Sequence, residues 1–191
     1  MSDLRHALVQ IVESKGLLRM PEPVQLASGE WSREFIDGKR ALASGRDLTL
    51  ACRAIIEVVR EAHIDFDAVG GLTLGADQFA HATAVIADKD WFVVRKVAKE
   101  RGTKRRIEGA DLESRCRSVL LVDDVVTTGG SILEAYEVIR AAGSRVVCAV
   151  TLVDRGEKAA PKFAELGIPY LPLVTYKDLD IPPVGVALTS A

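Results

Sequence analysis

The chain has 191 residues, 48% hydrophobic and 27% charged, enough for one α/β domain with a sizeable core and a small appendage over residues 1–191. With a formal net charge of -2, the chain has no overall positive potential that would attract nucleic acid or an anionic membrane, so any basic site must be local. Cys52, Cys116 and Cys148 are scattered and match neither a disulfide framework nor a zinc site. Residues 1–20 carry mixed charge and lack the apolar core of a signal peptide or the length of a membrane span. These features predict a soluble protein of the reducing cytoplasm.

Helical periodicity begins the chain. Leu4, Leu8, Ile11 and Val12 share one helical face, which predicts an N-terminal helix that ends near Gly16. The next segment, residues 24–37, predicts a small strand pair or loop with a turn at Gly29. We call residues 20–40 the hood. Further helices are predicted over residues 48–62 and about 78–87.

Short apolar runs predict the sheet. They suggest strands at residues 68–72, 91–94, 119–122 and 145–153, with helices in the gaps between them. This alternation predicts an α/β fold with a central, mainly parallel sheet flanked by helices and right-handed crossovers. Residues 181–184, Ile-Pro-Pro-Val, predict an extended tail that lies along the sheet or a partner.

The strand at residues 119–122 carries the most informative motif. Four apolar residues between charges suit a strand that is covered on both faces, so Asp123 and Asp124 should emerge at its carboxyl edge, where ligands of open α/β sheets bind. Ser131 and Glu134 have the spacing of a capping box and predict a helix start, which is an anion site. Ionised carboxylates only accept hydrogen bonds, so they suit ribose hydroxyls or water around Mg²⁺. The predicted ligand is a phosphorylated ribose.

Two other site types find less support. A P-loop NTPase also places an acid after a strand, but the chain has no G-x-x-x-x-G-K-[ST] sequence, and Gly38-Lys39 lacks the preceding glycine. The three histidines are separated and match no ligand spacing, so no protein metal site is predicted.

A basic segment, residues 95–109, follows the strand at 91–94. Its hydrophobic periodicity fades and glycines bracket its central part, which predicts a mobile basic loop. A bare run of charge is more often a solvated surface. Beside a sugar-phosphate site, however, a cationic loop can neutralise leaving pyrophosphate and exclude water when it closes.

These motifs resemble those of a known family. Residues 119–131 are similar to the phosphoribosyl pyrophosphate (PRPP) motif of the type I phosphoribosyltransferases. The basic segment narrows the resemblance to orotate phosphoribosyltransferases, whose pattern Phe-x-x-Arg-Lys-x-x-Lys-x-His-Gly is matched by Phe92, Arg95, Lys96, Lys99 and Gly102. Further similarity lies in residues 26–29, Phe35, Asp37, residues 70–77 and residues 153–155, so that it covers roughly residues 20–160.

The resemblance implies a fold, a reaction and partners. The fold would be that of type I phosphoribosyltransferases, with a small N-terminal hood to which C-terminal residues can contribute. The reaction would transfer the phosphoribosyl group of PRPP to orotate, giving orotidine 5'-monophosphate and pyrophosphate in de novo pyrimidine (UMP) biosynthesis. Mg²⁺ would be held mainly through PRPP and water. The protein would be a homodimer that shares the basic segment across subunits.

The resemblance also implies residue roles. The catalytic residues would be Lys99, Arg101, Asp123 and Asp124. The ribose 5-phosphate portion of PRPP would contact Asp123, Asp124, Val125, Val126, Thr127, Thr128, Gly129, Gly130 and Ser131. The pyrophosphate would contact Arg95, Lys96, Lys99 and Arg101, and the backbone at Gly75 and Ala76. Orotate would be held by Thr127 and Arg155, with Phe35 packed near the base.

Two residues depart from the family pattern. Arg101 stands where a histidine is usual; it stays cationic but cannot exchange a proton near neutral pH. Glu34 stands where an aromatic residue is common, and a carboxylate near anionic orotate is unfavourable unless it points away. Two alternatives therefore stay open: a phosphoribosyltransferase for another nucleobase, and a catalytically silent regulator that binds PRPP or nucleotides.

Overall fold

The N-terminal elements build the hood on top of a helix. In the computed structural model, which describes residues 2–26, 28–98, 105–115 and 117–184, helix α1 spans Asp3–Ile11 and continues as a π-helical turn, Val12–Gly16, as the periodicity predicts. Strands β1 (Leu17–Gln25) and β2 (Trp31–Ile36) then pair antiparallel, which confirms the predicted strand pair. Gly29 has φ +85° at the turn between them. The strand pair begins at Leu17, before the predicted start of the hood.

The main sheet has six strands in the order β5-β4-β3-β6-β7-β8. Its parallel strands include β3 (Ala68–Leu72), β4 (Asp90–Val94), β6 (Ser118–Val126), β7 (Arg145–Asp154) and β8 (Tyr170–Thr175). Strand β5 (Ile107–Gly109) runs antiparallel to β4. The predicted, mainly parallel sheet is confirmed.

Two strands were not predicted. Strand β8 contains Pro172, which removes a backbone donor and is tolerated because β8 lies at the edge of the sheet. Strand β5 occupies the end of the basic segment. The prediction of a mobile loop through Gly109 was therefore wrong for residues 107–109, where the ladder with β4 holds the backbone.

Helices cover both faces of the sheet. They are α2 (Gly38–Ala41), α3 (Gly45–Glu61), α4 (Asp77–Ala87), α5 (Gly130–Ala141) and α6 (Ala159–Glu165). One buried apolar cluster joins α1, α3 and α4 to the sheet, and a second joins α5 and α6 to it. Because both faces are buried, β6 and β7 read as nearly continuous apolar runs. Within the described ranges, no helix is long and apolar enough to cross a membrane.

Candidate active site

A cavity of about 110 Å³ opens at the carboxyl end of β6. The turn after this strand, Thr127–Ser131, forms much of its wall; we call this turn the phosphate loop. The cavity is lined by Ser28, Asp123, Val125, Val126, Thr127, Thr128, Gly129, Gly130, Ser131 and Ile132. The structure therefore brings together most of the residues that the PRPP motif predicted.

The phosphate loop ends in a helix start made by backbone alone. Gly129 has φ +82° and is the N-cap of α5, a conformation that strongly favours glycine. The predicted capping box is wrong: Ser131 lies inside the helix, and the Glu134 carboxylate accepts a hydrogen bond from the Arg106 guanidinium. Since no side chain caps α5, its first N–H groups and its dipole remain available for an anion.

Asp123 and Asp124 lie within strand β6, near its carboxyl end, rather than beyond it. Asp123 pairs with Thr151 of β7 and is 5% exposed. The Asp124 N–H donates to Asp123 Oδ1 at 3.0 Å, and the Val125 N–H donates to Asp124 Oδ1 at 2.7 Å. Burial, reinforced by the adjacent Asp124 carboxylate, raises the pKa of Asp123 to about 7. These hydrogen bonds hold the pair rigidly, and burial disfavours the ionised form of Asp123.

The turn at Gly75 lies directly against this pair. A Cβ atom at Gly75 would be 2.6 Å from Asp123 Oδ1 and 2.7 Å from Asp124 Oδ1, so any other residue requires the turn or the carboxylates to shift. Ala76 is fully buried and caps α4, whose first residue is Asp77. The backbone predicted to approach pyrophosphate therefore borders the carboxylates predicted to contact the ribose.

Lys39 contacts the carboxylate pair, which the sequence did not reveal. Its Nζ atom lies 3.0 Å from Asp124 Oδ2, although the two residues are 85 positions apart. Asp37 caps α2 by accepting from the Arg40 N–H, and the backbone of Gly38 lies close to the Asp124 side chain. The Asp37-Gly38-Lys39 sequence carries a cap signal, but only the fold shows that this short helix borders β6.

Arg155 joins the sheet to the hood. Its side chain is 1% exposed; Nη1 donates to the Glu34 carbonyl at 2.6 Å and Nη2 donates to Ser32 Oγ at 3.2 Å. Burial lowers the pKa of Arg155, and the Glu34 carboxylate acts against that shift. The Arg155 N–H donates to the Val126 carbonyl at 2.8 Å, which fixes its backbone beside the phosphate loop.

The C-terminal segment also reaches this point. The Val184 N–H donates to the Arg155 carbonyl at 2.9 Å, and Val184 and Gly156 form a parallel bridge. Ile181 and Val184 are buried, so the predicted extended tail does lie along the sheet.

The hood presents different side chains to Arg155 than the family pattern suggested. Alternation along β2 puts Ser32 and Glu34 on the face toward Arg155, whereas Trp31 and Phe35 point the other way. Phe35 is 37% exposed, and the structure does not bring it together with Arg155. Ser32 Oγ donates to Glu34 Oε2 at 3.1 Å, so this carboxylate belongs to the Arg155 network.

The basic segment is described only at its two ends. Arg95 and Lys96 follow β4 at the same carboxyl edge of the sheet as Asp123. The Arg106 guanidinium donates to the carbonyls of Arg95 and Lys96 at 3.0 Å each, which closes the base of the segment. Lys99 and Arg101 lie outside the described residues.

Several buried polar atoms near the cavity lack a partner within the described ranges. They include Ser28 Oγ, Asp77 Oδ1 and Arg155 Nε. Most buried polar atoms are hydrogen-bonded, and of these three residues Ser28 lines the cavity itself. Their location supports a polar ligand at this edge of the sheet.

The carboxylate pair also bears on metal binding. Within the described ranges, no three His, Cys, Asp or Glu side chains come close enough to form a metal site. Two carboxylates with one exposed edge are, however, a donor set that suits hydrated Mg²⁺. The residues thus fit a hydrated magnesium ion.

Comparison with known proteins assigns this geometry to a family. Residues 41–165 match the family model of the phosphoribosyl transferase domain. The orotate phosphoribosyltransferase of Streptomyces avermitilis is 42% identical over 176 residues, which cover 89% of this chain and 93% of the relative. The chain belongs to the orotate phosphoribosyltransferase family.

Other members of the orotate phosphoribosyltransferase family agree in sequence and structure. That of Corynebacterium glutamicum is 41% identical over 184 residues, covering 94% of this chain and 96% of the relative. The crystal structure of the Mycobacterium tuberculosis enzyme in complex with PRPP has a TM-score of 0.74 at 33% identity, covering 93% of this chain and 99% of that one. The fold is thus that of type I phosphoribosyltransferases.

Proposed function

We propose that this chain, acting as one domain, transfers the phosphoribosyl group of PRPP to orotate, giving orotidine 5'-monophosphate and pyrophosphate in pyrimidine biosynthesis. The observation that carries the proposal is the juxtaposition at one sheet edge of an uncapped helix start, a rigid carboxylate pair and a buried guanidinium. These groups suit the phosphate, the ribose and the base of one nucleotide.

The phosphate loop and the carboxylates would position PRPP. The N–H groups at the start of α5 would bind its 5-phosphate, while Asp123 and Asp124 would accept hydrogen bonds from the ribose hydroxyls. A ring nitrogen of orotate would then lose its proton to solvent and form the bond to the anomeric carbon as the bond to pyrophosphate breaks, with the electron pair of that C–O bond leaving on the pyrophosphate oxygen. The carboxylates would stabilise positive charge that develops on the ribose.

Cations would stabilise the leaving pyrophosphate. Arg95 and Lys96 lie at the correct edge of the sheet, and we assign Lys99 and Arg101 to the same role from the family pattern. Because their effect is greatest when negative charge builds up on the leaving group, these residues should change turnover more than substrate affinity. Mg²⁺, held mainly through PRPP and water, would neutralise part of the same charge.

A homodimer and a cytoplasmic location complete the proposal. Val85, Trp91 and Val97, from α4, β4 and the start of the basic segment, are 83%, 41% and 74% exposed, which supports association along this edge. A second subunit there would lie next to the basic segment and could share it. Cys52 and Cys148 are buried free thiols, in accord with a reducing compartment.

Glu34 favours one alternative, a transferase for another base. Its carboxylate belongs to the network of the guanidinium that we assign to orotate, and it would repel an anionic base. A neutral base such as uracil would not suffer this repulsion.

A panel of bases tests the proposal. Purified protein with Mg²⁺ and PRPP should consume orotate absorbance and release an equal amount of pyrophosphate. Turnover with uracil or a purine but not with orotate would change the base assignment. Tight PRPP binding without turnover of any base would instead indicate a regulator.

A further inference from the structure

We propose that Lys39 is a PRPP-binding residue whose ammonium contacts the diphosphate end of the substrate. The inference deepens the proposed function and depends on it. Lys39 belongs to none of the motifs that the sequence matched. Its role follows from its contact with the carboxylate pair across 85 positions of sequence.

The first step is the position of Lys39 relative to the two ends of PRPP. The phosphate loop begins directly after β6, whereas Gly75, just before α4, borders the carboxylate pair. Lys39 comes from α2, and its ammonium contacts Asp124, one of the two acids that Gly75 borders. The ammonium and the Gly75 backbone assigned to pyrophosphate thus both border the Asp124 carboxylate.

The second step is the charge balance at this end of the site. Asp123 and Asp124 place two carboxyl groups side by side, against the turn that carries Gly75. A diphosphate group would meet strong repulsion here unless cations offset it. Within the described ranges, Lys39 is the residue that forms an ion pair with Asp124.

The third step is the hydrogen-bonding capacity that remains. An ammonium group has three donors, and Asp124 Oδ2 uses one of them at 3.0 Å. The Lys39 side chain is 53% exposed, so the other donors can reach a ligand, whereas Asp124 is only 17% exposed. The ion pair therefore holds the ammonium in place without burying it.

The test compares Lys39→Met with Lys39→Arg. We expect Lys39→Met to weaken PRPP binding in the presence of Mg²⁺ roughly 10- to 100-fold, because it removes a charged hydrogen bond to the substrate. The KM for orotate at saturating PRPP should change little, and Lys39→Arg should retain most of the affinity. Isothermal titration calorimetry with PRPP and steady-state kinetics supply the two readouts.

The matched control is Lys89→Met. Lys89 forms a comparable ion pair with Asp65 at 3.2 Å, before β3 and therefore at the opposite edge of the sheet. Its removal should leave PRPP affinity unchanged. Equal losses in both methionine variants would show a general charge effect and overturn the proposal.

A double-mutant cycle separates contact with PRPP from support of Asp124. If Lys39 contacts the diphosphate, Lys39→Met should still weaken PRPP binding when Asp124 is already replaced by Asn. Loss of the effect in the Asp124→Asn background would make Lys39 only a counterion, and unchanged binding in Lys39→Met would exclude any role. Wild-type turnover with orotate is measured first, so failure of the proposed function is seen separately.

Discussion

The phosphate loop and the hood border one cavity edge, but they are held in different ways. The phosphate loop is continuous with the buried strand β6 and with α5, and the groups that we propose bind phosphate are backbone N–H groups. The hood is a two-stranded sheet that meets the main sheet through Arg155, which donates to one carbonyl and one hydroxyl of β2. The comparison indicates that the half of the site proposed to bind the ribose phosphate is rigid. The half proposed to bind the base depends on a few side chains of Arg155 and the hood, so substitutions there can change it.

The largest effect should come from Asp123 in the rigid half. Asp123→Asn should lower kcat/KM for PRPP by roughly 10²- to 10³-fold, because a carboxylate at the ribose is lost. The same variant should be more stable than the wild type at pH 8. Burial disfavours the ionised carboxylate, and with a pKa of about 7 in the folded state the wild type loses stability as the pH rises from about 4 to above 7.

Urea unfolding at pH 8 and pH 4.5 checks the second half of this prediction. The Asn variant should gain about 2–4 kcal/mol over the wild type at pH 8 and little at pH 4.5. A difference in stability that stays constant with pH would contradict the burial argument. Asp65→Asn, an exposed acid far from the site, is the control for activity.

Gly75→Ala probes the same half through the backbone. The added Cβ would come within 2.7 Å of both carboxylates, so the turn or the pair must shift. Because small displacements of catalytic groups can reduce rates by about 10²-fold, we expect a loss of up to that size in kcat/KM for PRPP. Gly45→Ala, where no atom lies within 4 Å of the added Cβ, should leave kinetics unchanged.

Ser32→Ala tests the attachment of the hood. It removes the hydroxyl that accepts from Arg155 and donates to Glu34, so stability should fall by about 1 kcal/mol and the KM for orotate should rise about fivefold. The KM for PRPP should be nearly constant. Equal changes in both KM values would show that the two halves are not independent. Ser14→Ala, whose hydroxyl bonds only within the N-terminal helical turn, is a control.

Glu34→Gln should have the smallest effect and the opposite sign. The variant keeps a side chain that can bond to Ser32 but removes a negative charge near Arg155, so the KM for orotate should fall about threefold. Kinetics with orotate and uracil measure the change in selectivity. Glu22→Gln, which removes an 84% exposed acid of the hood, should not alter either KM. A higher KM for orotate in Glu34→Gln would mean that the carboxylate assists the base.

The same comparison explains what could be predicted from sequence. The four apolar residues before Asp123 and the small residues after it lie next to one another in the chain, so a local pattern located the carboxylate pair and the phosphate loop. The parallel sheet followed from the alternation of strands and helices. Glu134 misled the prediction of the helix cap because its partner, Arg106, lies 28 residues away.

Distant contacts account for the residues that sequence reasoning missed. Lys39 meets Asp124 only because α2 packs beside β6, and no local spacing encodes that contact. The network of Arg155 likewise depends on β2, more than 100 residues earlier in the chain. The alternation along β2 predicts that Phe35 and Glu34 lie on opposite faces of the strand, but only the fold shows which face meets Arg155.

The register of β6 against β7 fixes the position of the phosphate loop relative to Arg155. Val125 pairs with Val153 and Val126 pairs with Asp154, so the phosphate loop and Arg155 start at the same level on neighbouring strands. Adjacent strands are about 4.8 Å apart, a distance fixed by backbone hydrogen bonds rather than by side chains. The distance between the groups proposed to bind the sugar phosphate and the start of the Arg155 side chain is therefore set by the backbone hydrogen bonds between β6 and β7. A relative could acquire a different base by changing the residues after β7 and in β2 while this distance stayed the same.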